Sequence, residues 1–115
     1  MNIDFLRNKT LVADGETNWQ EVEKSISRKI MSYTDDIMLV KVKFDKGAIG
    51  AEHHHSHLQM SYIAKGVFEV KIGSDIRELK EGDVYFAPSG IEHGVVCKED
   101  GILIDVFSPA RQDFL

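Results

Sequence analysis

The chain is short of cysteine, proline and basic charge, and each shortage excludes something. A single cysteine, Cys97, cannot close an internal disulfide, so the disulfide-stapled scaffolds are ruled out and a reducing compartment fits. Two prolines and nine glycines in 115 residues are too few for a collagenous or proline-rich low-complexity chain. Long apolar runs are missing. The longest aliphatic stretch, Ile37-Met38-Leu39-Val40, is far below the roughly 20 residues of a membrane-spanning helix. The opening residues, Met1-Asn2-Ile3-Asp4-Phe5-Leu6-Arg7, carry an early acid and no apolar signal core, so a cytoplasmic location is expected. Fourteen Lys and Arg against nineteen Asp and Glu leave a formal charge of -5, which argues against nucleic acid and anionic membranes as partners.

What is present is a chain of one-domain length with 43% hydrophobic residues, enough for a packed core. Residues 1–24 show no clear period, apart from a turn signal at Asp14-Gly15, and are read as an extended N-terminal arm. From residue 25 to 115 the pattern becomes short alternating runs with Gly, Asp, Ser or Pro at the joints. Val40-Lys41-Val42-Lys43-Phe44 and Phe68-Glu69-Val70-Lys71-Ile72 each put apolar residues on one face and charges on the other. Further runs are expected at 60–64, 76–79, 84–87, 94–97 and 102–107, and nothing after Ile30 offers twelve residues of helical period. Many short strands without intervening helices predict an all-β antiparallel sandwich or barrel. A homodimer is expected, because small open barrels protect an edge by pairing and the arm is available to help.

Five histidines stand out, four of them between His53 and His57 and the fifth at His93. Side chains two apart on a strand share a face, so His53 and His55 would present both imidazoles to one side while His54 faces away. Gln59 has the same parity, yet extended chain would carry it about 13 Å past His55. For Gln59 to join a site with them the chain must bend near Ser56-His57-Leu58, which would swing His57 out.

The spacing around these residues resembles the two cupin motifs. Gly47-x5-His53-x-His55-x3-Gln59-x6-Gly66 matches G-x5-H-x-H-x3,4-E-x6-G, and Gly82-x5-Pro88-x-Gly90-x2-His93 matches G-x5-P-x-G-x2-H-x3-N. Eight of the ten fixed positions agree; Gln59 replaces Glu and Cys97 replaces Asn. The resemblance implies a small jelly-roll barrel holding one divalent metal in its mouth. Gly66 and Gly82 are expected where strands reverse, and Pro88-Ser89-Gly90 as the turn that delivers His93 to the interior. Three imidazoles and an amide oxygen suit Zn, Ni, Fe, Mn or Cu, and ligand type alone does not choose among them. A neutral Gln59 leaves the ion at +2, which favours polarising a substrate oxygen over activating dioxygen. Cys97 shares parity with His93 and needs no role beyond that of a small buried hydrophobe.

One acid interrupts the last apolar run, Gly101-Ile-Leu-Ile-Asp105-Val-Phe107. A carboxylate there is costly unless paired or used, which makes Asp105 a candidate general acid/base and Phe107, on the same face, a wall that excludes water. Arg111, just past Pro109, could fold back as a clamp for a carboxylate or remain a solvated tail residue.

Several blocks taken together, Arg28-Lys-Ile-Met-Ser-Tyr33, Met38-Leu-Val-Lys-Val42, the histidine segment, Ile104-Asp-Val-Phe-Ser-Pro109 and Asp113-Phe-Leu115, resemble the KdgF-type pectin-degradation cupins over residues 27–115. That family opens the ring of 4,5-unsaturated uronate monosaccharides to linear 5-keto-4-deoxyuronates. The resemblance implies a small anionic sugar as substrate. It makes His53, His55, Gln59 and His93 the metal ligands and Asp105, Phe107 and Arg111 the catalytic wall. Two other readings stay open: a non-catalytic metal-containing cupin that binds a sugar or effector, and a small metal-dependent dioxygenase.

Overall fold

Alternation of buried and exposed side chains governs every long element of the computed structural model, which describes residues 3–115. Eight strands form one antiparallel network: β1 (Gln20–Glu23), β2 (Ile26–Tyr33), β3 (Met38–Phe44), β4 (Ile49–His53), β5 (Leu58–Ile72), β6 (Asp75–Lys80), β7 (Val84–Ala87) and β8 (His93–Ser108). Three 3₁₀ turns, Asp4–Leu6, Asp14–Glu16 and Gln112–Phe114, complete the chain. Strands β5 and β8 pair along nearly their whole length and pass through both layers of the barrel. The first half of β5 and the second half of β8 join β7 and β3; their other halves join β6 and β4. The result is the all-β jelly roll expected.

The corner between the layers lies at Gly66 and Gly101. Register slips between Ile63 and Phe68 let β5 bend without ending. Gly66 adopts a φ of +87°, and a Cβ there would lie 2.6 Å from the Asp100 carbonyl oxygen. A Cβ on Gly101 would lie 2.5 Å from the ring of Phe68, which is fully buried. Gly66 therefore sits inside a continuous strand, whereas the sequence reading put a reversal there; Gly82 does occupy the turn between β6 and β7. For the same reason the runs at 94–97 and 102–107 are one strand. Lys98-Glu99-Asp100 remains exposed at the corner and reads in sequence as a joint.

Two apolar clusters fill the barrel. One gathers Ile26, Phe44, Ile63, Phe68 and Leu103; the other gathers Ile30, Tyr33, Met38, Val40 and Phe107; Val42 packs against both. The N-terminal segment contributes Leu6, which is buried in the second cluster, and its turn at Asp14 pairs with Lys29 and Lys41. Lys29 is buried on the outer face of β2 because this segment covers it, with Nζ 3.0 Å from the Asp14 carbonyl oxygen and 5.1 Å from the Trp19 ring centre. No helix among the described residues is long and apolar enough to cross a membrane.

The corner supplies a direct test of the fold. Gly66→Ala combines a left-handed backbone with a backbone clash and should lower stability by about 3 kcal/mol. Gly73→Ala, also at positive φ but with its nearest atom at an ordinary 3.7 Å, should lose only about 1 kcal/mol. Urea unfolding of the two variants checks the difference.

Candidate metal centre

The strand ladder brings the polar interior residues together. His53, the last residue of β4, lies directly across from His93, the first of β8. On β5, Gln59 is opposite Phe107 and Ser61 is opposite Asp105, while Tyr85 of β7 lies on the other side of Ser61. Strand β4 ends at His53, so His55 reaches the site from the connection, and bends at Ser56 and His57 return the chain to β5. That bend closes the gap to Gln59 which extended chain would have left. His54 is exposed and points elsewhere; His57 packs edge-on against His55, with ring centres 5.6 Å apart.

One ring nitrogen from each of His53, His55 and His93 lies within 4.8 Å of the other two, close enough together to hold a metal ion. Each Nδ1 sits against a backbone carbonyl oxygen: His53 on Ala51 at 2.9 Å, His55 on His57 at 2.9 Å, His93 on Ile91 at 3.0 Å. A carbonyl only accepts, so each Nδ1 carries a hydrogen, and in its neutral form each ring turns an Nε2 lone pair inward. Loss of hydration pushes His55 and His93 below the ordinary imidazole value, which favours that neutral form.

Gln59 completes the set from below. Its amide nitrogen donates to Ser61 Oγ at 3.0 Å and to Tyr85 OH at 3.2 Å, which leaves Oε1 facing the Nε2 atoms of His55 at 3.0 Å and His93 at 3.1 Å. Acceptors thus converge on acceptors, an arrangement that is repulsive by itself and that a divalent cation satisfies. The donor set fits such an ion, with three neutral imidazoles and one neutral amide oxygen.

Next to this cluster, Ser61 Oγ donates to Asp105 Oδ1 at 2.6 Å. Asp105 is only 7% exposed, and burial pushes its carboxyl from 3.8 up to about 6; the Ser61 hydrogen bond and the charge of Arg111 oppose that shift. Burial also raises Tyr85, beside Asp105, well above the usual phenol value. Phe107 is buried, with its ring centre 5.9 Å from that of His55. Arg111 folds back over Phe107 and Phe114, at 5.1 and 4.4 Å from their centres, and its Nε and Nη2 donate to Asp113 at 3.0 and 2.8 Å. A cavity of about 220 Å³ is lined by His53, Gln59, His93, Asp105, Phe107 and Arg111. It lies below the roughly 300–1,000 Å³ of drug-sized pockets and suits a monosaccharide better than an oligosaccharide. Cys97 lies elsewhere, in the first apolar cluster, with its thiol on the Glu99 carbonyl oxygen.

Among the polar residues at this site, Ser61, which bonds Gln59 and Asp105, and Tyr85 and Arg28, which line the cavity, are not marked as site residues by the sequence. Parity could have found two of them. Ser61 lies between inward-facing Gln59 and Ile63, and Arg28 between inward-facing Ile26 and Ile30, the same signal that exposed Asp105. Tyr85 is buried but sits in the apolar run Val84-Tyr85-Phe86-Ala87, where no polar neighbour marks its inward face.

Asp105 makes stability depend on pH with a definite sign. Its folded pKa lies above the unfolded value, so its contribution is intact below pH 4 and is lost as pH rises through about 6. In metal-stripped protein Asp105→Asn should therefore be more stable than wild type at pH 8, by about 1–3 kcal/mol, with the advantage vanishing near pH 4. Urea midpoints of both proteins across that range test it.

Comparison with known proteins agrees with this architecture. The cupin domain model matches residues 40–107. The chain is 52% identical over 104 residues to the pectin degradation protein KdgF of Dickeya dadantii, covering 89% of this chain and 94% of that protein. The solved structure of KdgF from a Halomonas species superposes with a TM-score of 0.90 at 44% identity, covering 94% of this chain and all (100%) of that one. An RmlC-like cupin from Shewanella frigidimarina gives 0.91 at 39% identity, covering 94% and 97%. With the barrel, the three-histidine cluster and this degree of identity in hand, the chain belongs to the cupin family and, within it, to the family of the pectin degradation protein KdgF.

Proposed function

We propose that this protein opens the ring of 4,5-unsaturated uronate monosaccharides, such as those left by pectin or alginate breakdown, and yields the linear 5-keto-4-deoxyuronate. The observation that carries the reading is a buried carboxyl, Asp105, which burial pushes up to about 6 and which lines the same small cavity as His53, Gln59, His93 and the Arg111 guanidinium. The 52% identity to a pectin degradation protein supports it. Residues 25–115 would form the catalytic barrel and residues 1–24 an arm, whose described part, residues 3–24, buries Leu6 against the barrel and ends in β1. His53, His55, Gln59 and His93 would hold one divalent ion, Zn, Ni, Fe or Mn. Such an ion supplies a Lewis acid that favours negative charge on a substrate oxygen.

The chain's own groups account for the proton movements. At neutral pH Asp105 is mostly ionised and accepts the proton of the anomeric hydroxyl as the bond from C1 to the ring oxygen breaks. The aldehyde forms at C1, and the electron pair of the broken bond remains on the former ring oxygen as an enolate. Asp105 then returns the proton to C4, which converts the enolate into the 5-ketone, so the reaction is an isomerisation with no net loss of atoms. Ser61 keeps the Asp105 carboxylate oriented, Phe107 excludes water, and Arg111 adds positive charge for an anionic sugar. Loss of the conjugated-alkene ultraviolet absorbance tests the assignment. Asp105→Asn and metal-stripped protein should each be slower by roughly 100-fold or more. Equal rates in wild type and both altered proteins would sink it.

The protein is further proposed to be cytoplasmic, in keeping with its lone buried thiol, and to form a homodimer. On the outer face, Met60 pairs with Phe86 and Tyr62 with Val84, and all four are 45–51% exposed. Such a contiguous apolar patch suits a self-complementary contact. Sedimentation should show a dimer, and Met60→Glu with Phe86→Glu a monomer that still folds.

A further inference from the structure

Arg28 occupies a position that a core normally denies to a charge. Along β2, Ile26, Arg28 and Ile30 face inward, and both isoleucines are buried. The guanidinium carbon stacks 3.8 Å from the centre of the Phe114 ring, so the side chain is held in place. Its charge is nevertheless not neutralised. Among the described residues Arg28 makes no ion pair, and its buried Nε–H has no acceptor. Asp113, the acid whose charge acts on it, is already gripped at both oxygens by Arg111. Arg28 is half-buried, and holding a cation there with no counter-charge is costly; a carboxylate meeting its terminal nitrogens from the cavity would offset that cost.

The cavity supplies the place for that ligand. Arg28 lines the same 220 Å³ space as His53, Gln59, His93 and Asp105. We propose that Arg28 is the carboxylate-binding residue of this cavity, the group that accepts a sugar acid and rejects a neutral sugar. Its planar fork matches a carboxylate, and a neutral sugar would leave the cation unpaired. Arg111, stacked on Phe107 and Phe114 and tied to Asp113, contributes field to the same space and has fewer donors to offer. The inference rests on the ring-opening reading for its substrate, in which the carboxylate is borne by C5, one end of the alkene.

Calorimetry with glucuronate, a saturated uronate that lacks the reacting alkene, separates the two ideas. Wild type should bind glucuronate in preference to glucose, and Arg28→Gln should weaken glucuronate by about 10- to 100-fold, with Arg28→Lys intermediate. With the unsaturated uronate, the loss in kcat/KM should be of similar size and reside mainly in KM, while metal content stays at the wild-type level. Glucuronate affinity and KM within about twofold of wild type in both variants would overturn the role of Arg28 even if wild type turns over. Binding that depends on Arg28 without turnover would uphold it and overturn ring opening. Absence of any glucuronate binding to wild type would overturn it outright. A crystal structure of wild type with glucuronate needs no variant: a carboxylate against Arg28 supports the proposal, and one against Arg111 alone refutes it.

Discussion

The amide of Gln59 has to face two ways at once, and the interior of the barrel is arranged around that demand. Its nitrogen is satisfied by Ser61 and Tyr85, so its oxygen has to meet the histidines. Ser61 in turn passes its own hydrogen to Asp105. A buried polar chain of this kind is tolerable only when every member is satisfied, because a single unmade bond costs as much as the chain gains. Each partner is therefore supplied by a strand position opposite another: Ser61 against Asp105 and Tyr85, Gln59 against Phe107. The chain links the convergent histidines and Gln59 to the buried acid, so the two halves of the site are mechanically one.

Charge is distributed against the bulk of the molecule. The protein carries a formal charge of -5, yet its cavity holds neutral imidazoles, a neutral amide and two guanidiniums, with one acid whose pKa is already raised. Phe114 receives both Arg28 and Arg111 on its ring, and Asp113 restrains only the latter. A short C-terminal turn thus serves as a platform that keeps two like charges close without letting either leave for solvent. Small anions can be favoured locally even though long-range attraction for polyanions is absent.

Placing an acid and two cations inside so small a barrel lowers stability, and the apolar clusters on either side offset it. Phe107 belongs to both accounts, packing with Leu6, Met38 and Val40 on one side and facing His55 on the other. The corner at Gly66 and Gly101 has a comparable double duty. It lets β5 carry Gln59 and Ser61 in one layer and Phe68 in the other, so the floor of the site and the larger core share one rigid strand.

Much of this was legible in the residues. Alternation marked the strands at 40–44 and 68–72, an apolar run marked the one at 84–87, and the spacing from Gly47 to His93 pointed to the cupin barrel. The cost of a buried carboxylate singled out Asp105. What spacing could not supply was the continuity of the two long strands, because exposed Lys98-Glu99-Asp100 looks like a turn until Gly66 is seen to bend beneath it. Nor could it supply the direction of the Gln59 amide, the pairing of Ser61 with Asp105, or the contrast between a paired Arg111 and an unpaired Arg28. Residue order sets which side chains share a face of a strand, since the backbone period is local. Which of those faces meet, and which buried donor then lacks an acceptor, depends on strands far apart in the chain coming into register, and no local pattern encodes that.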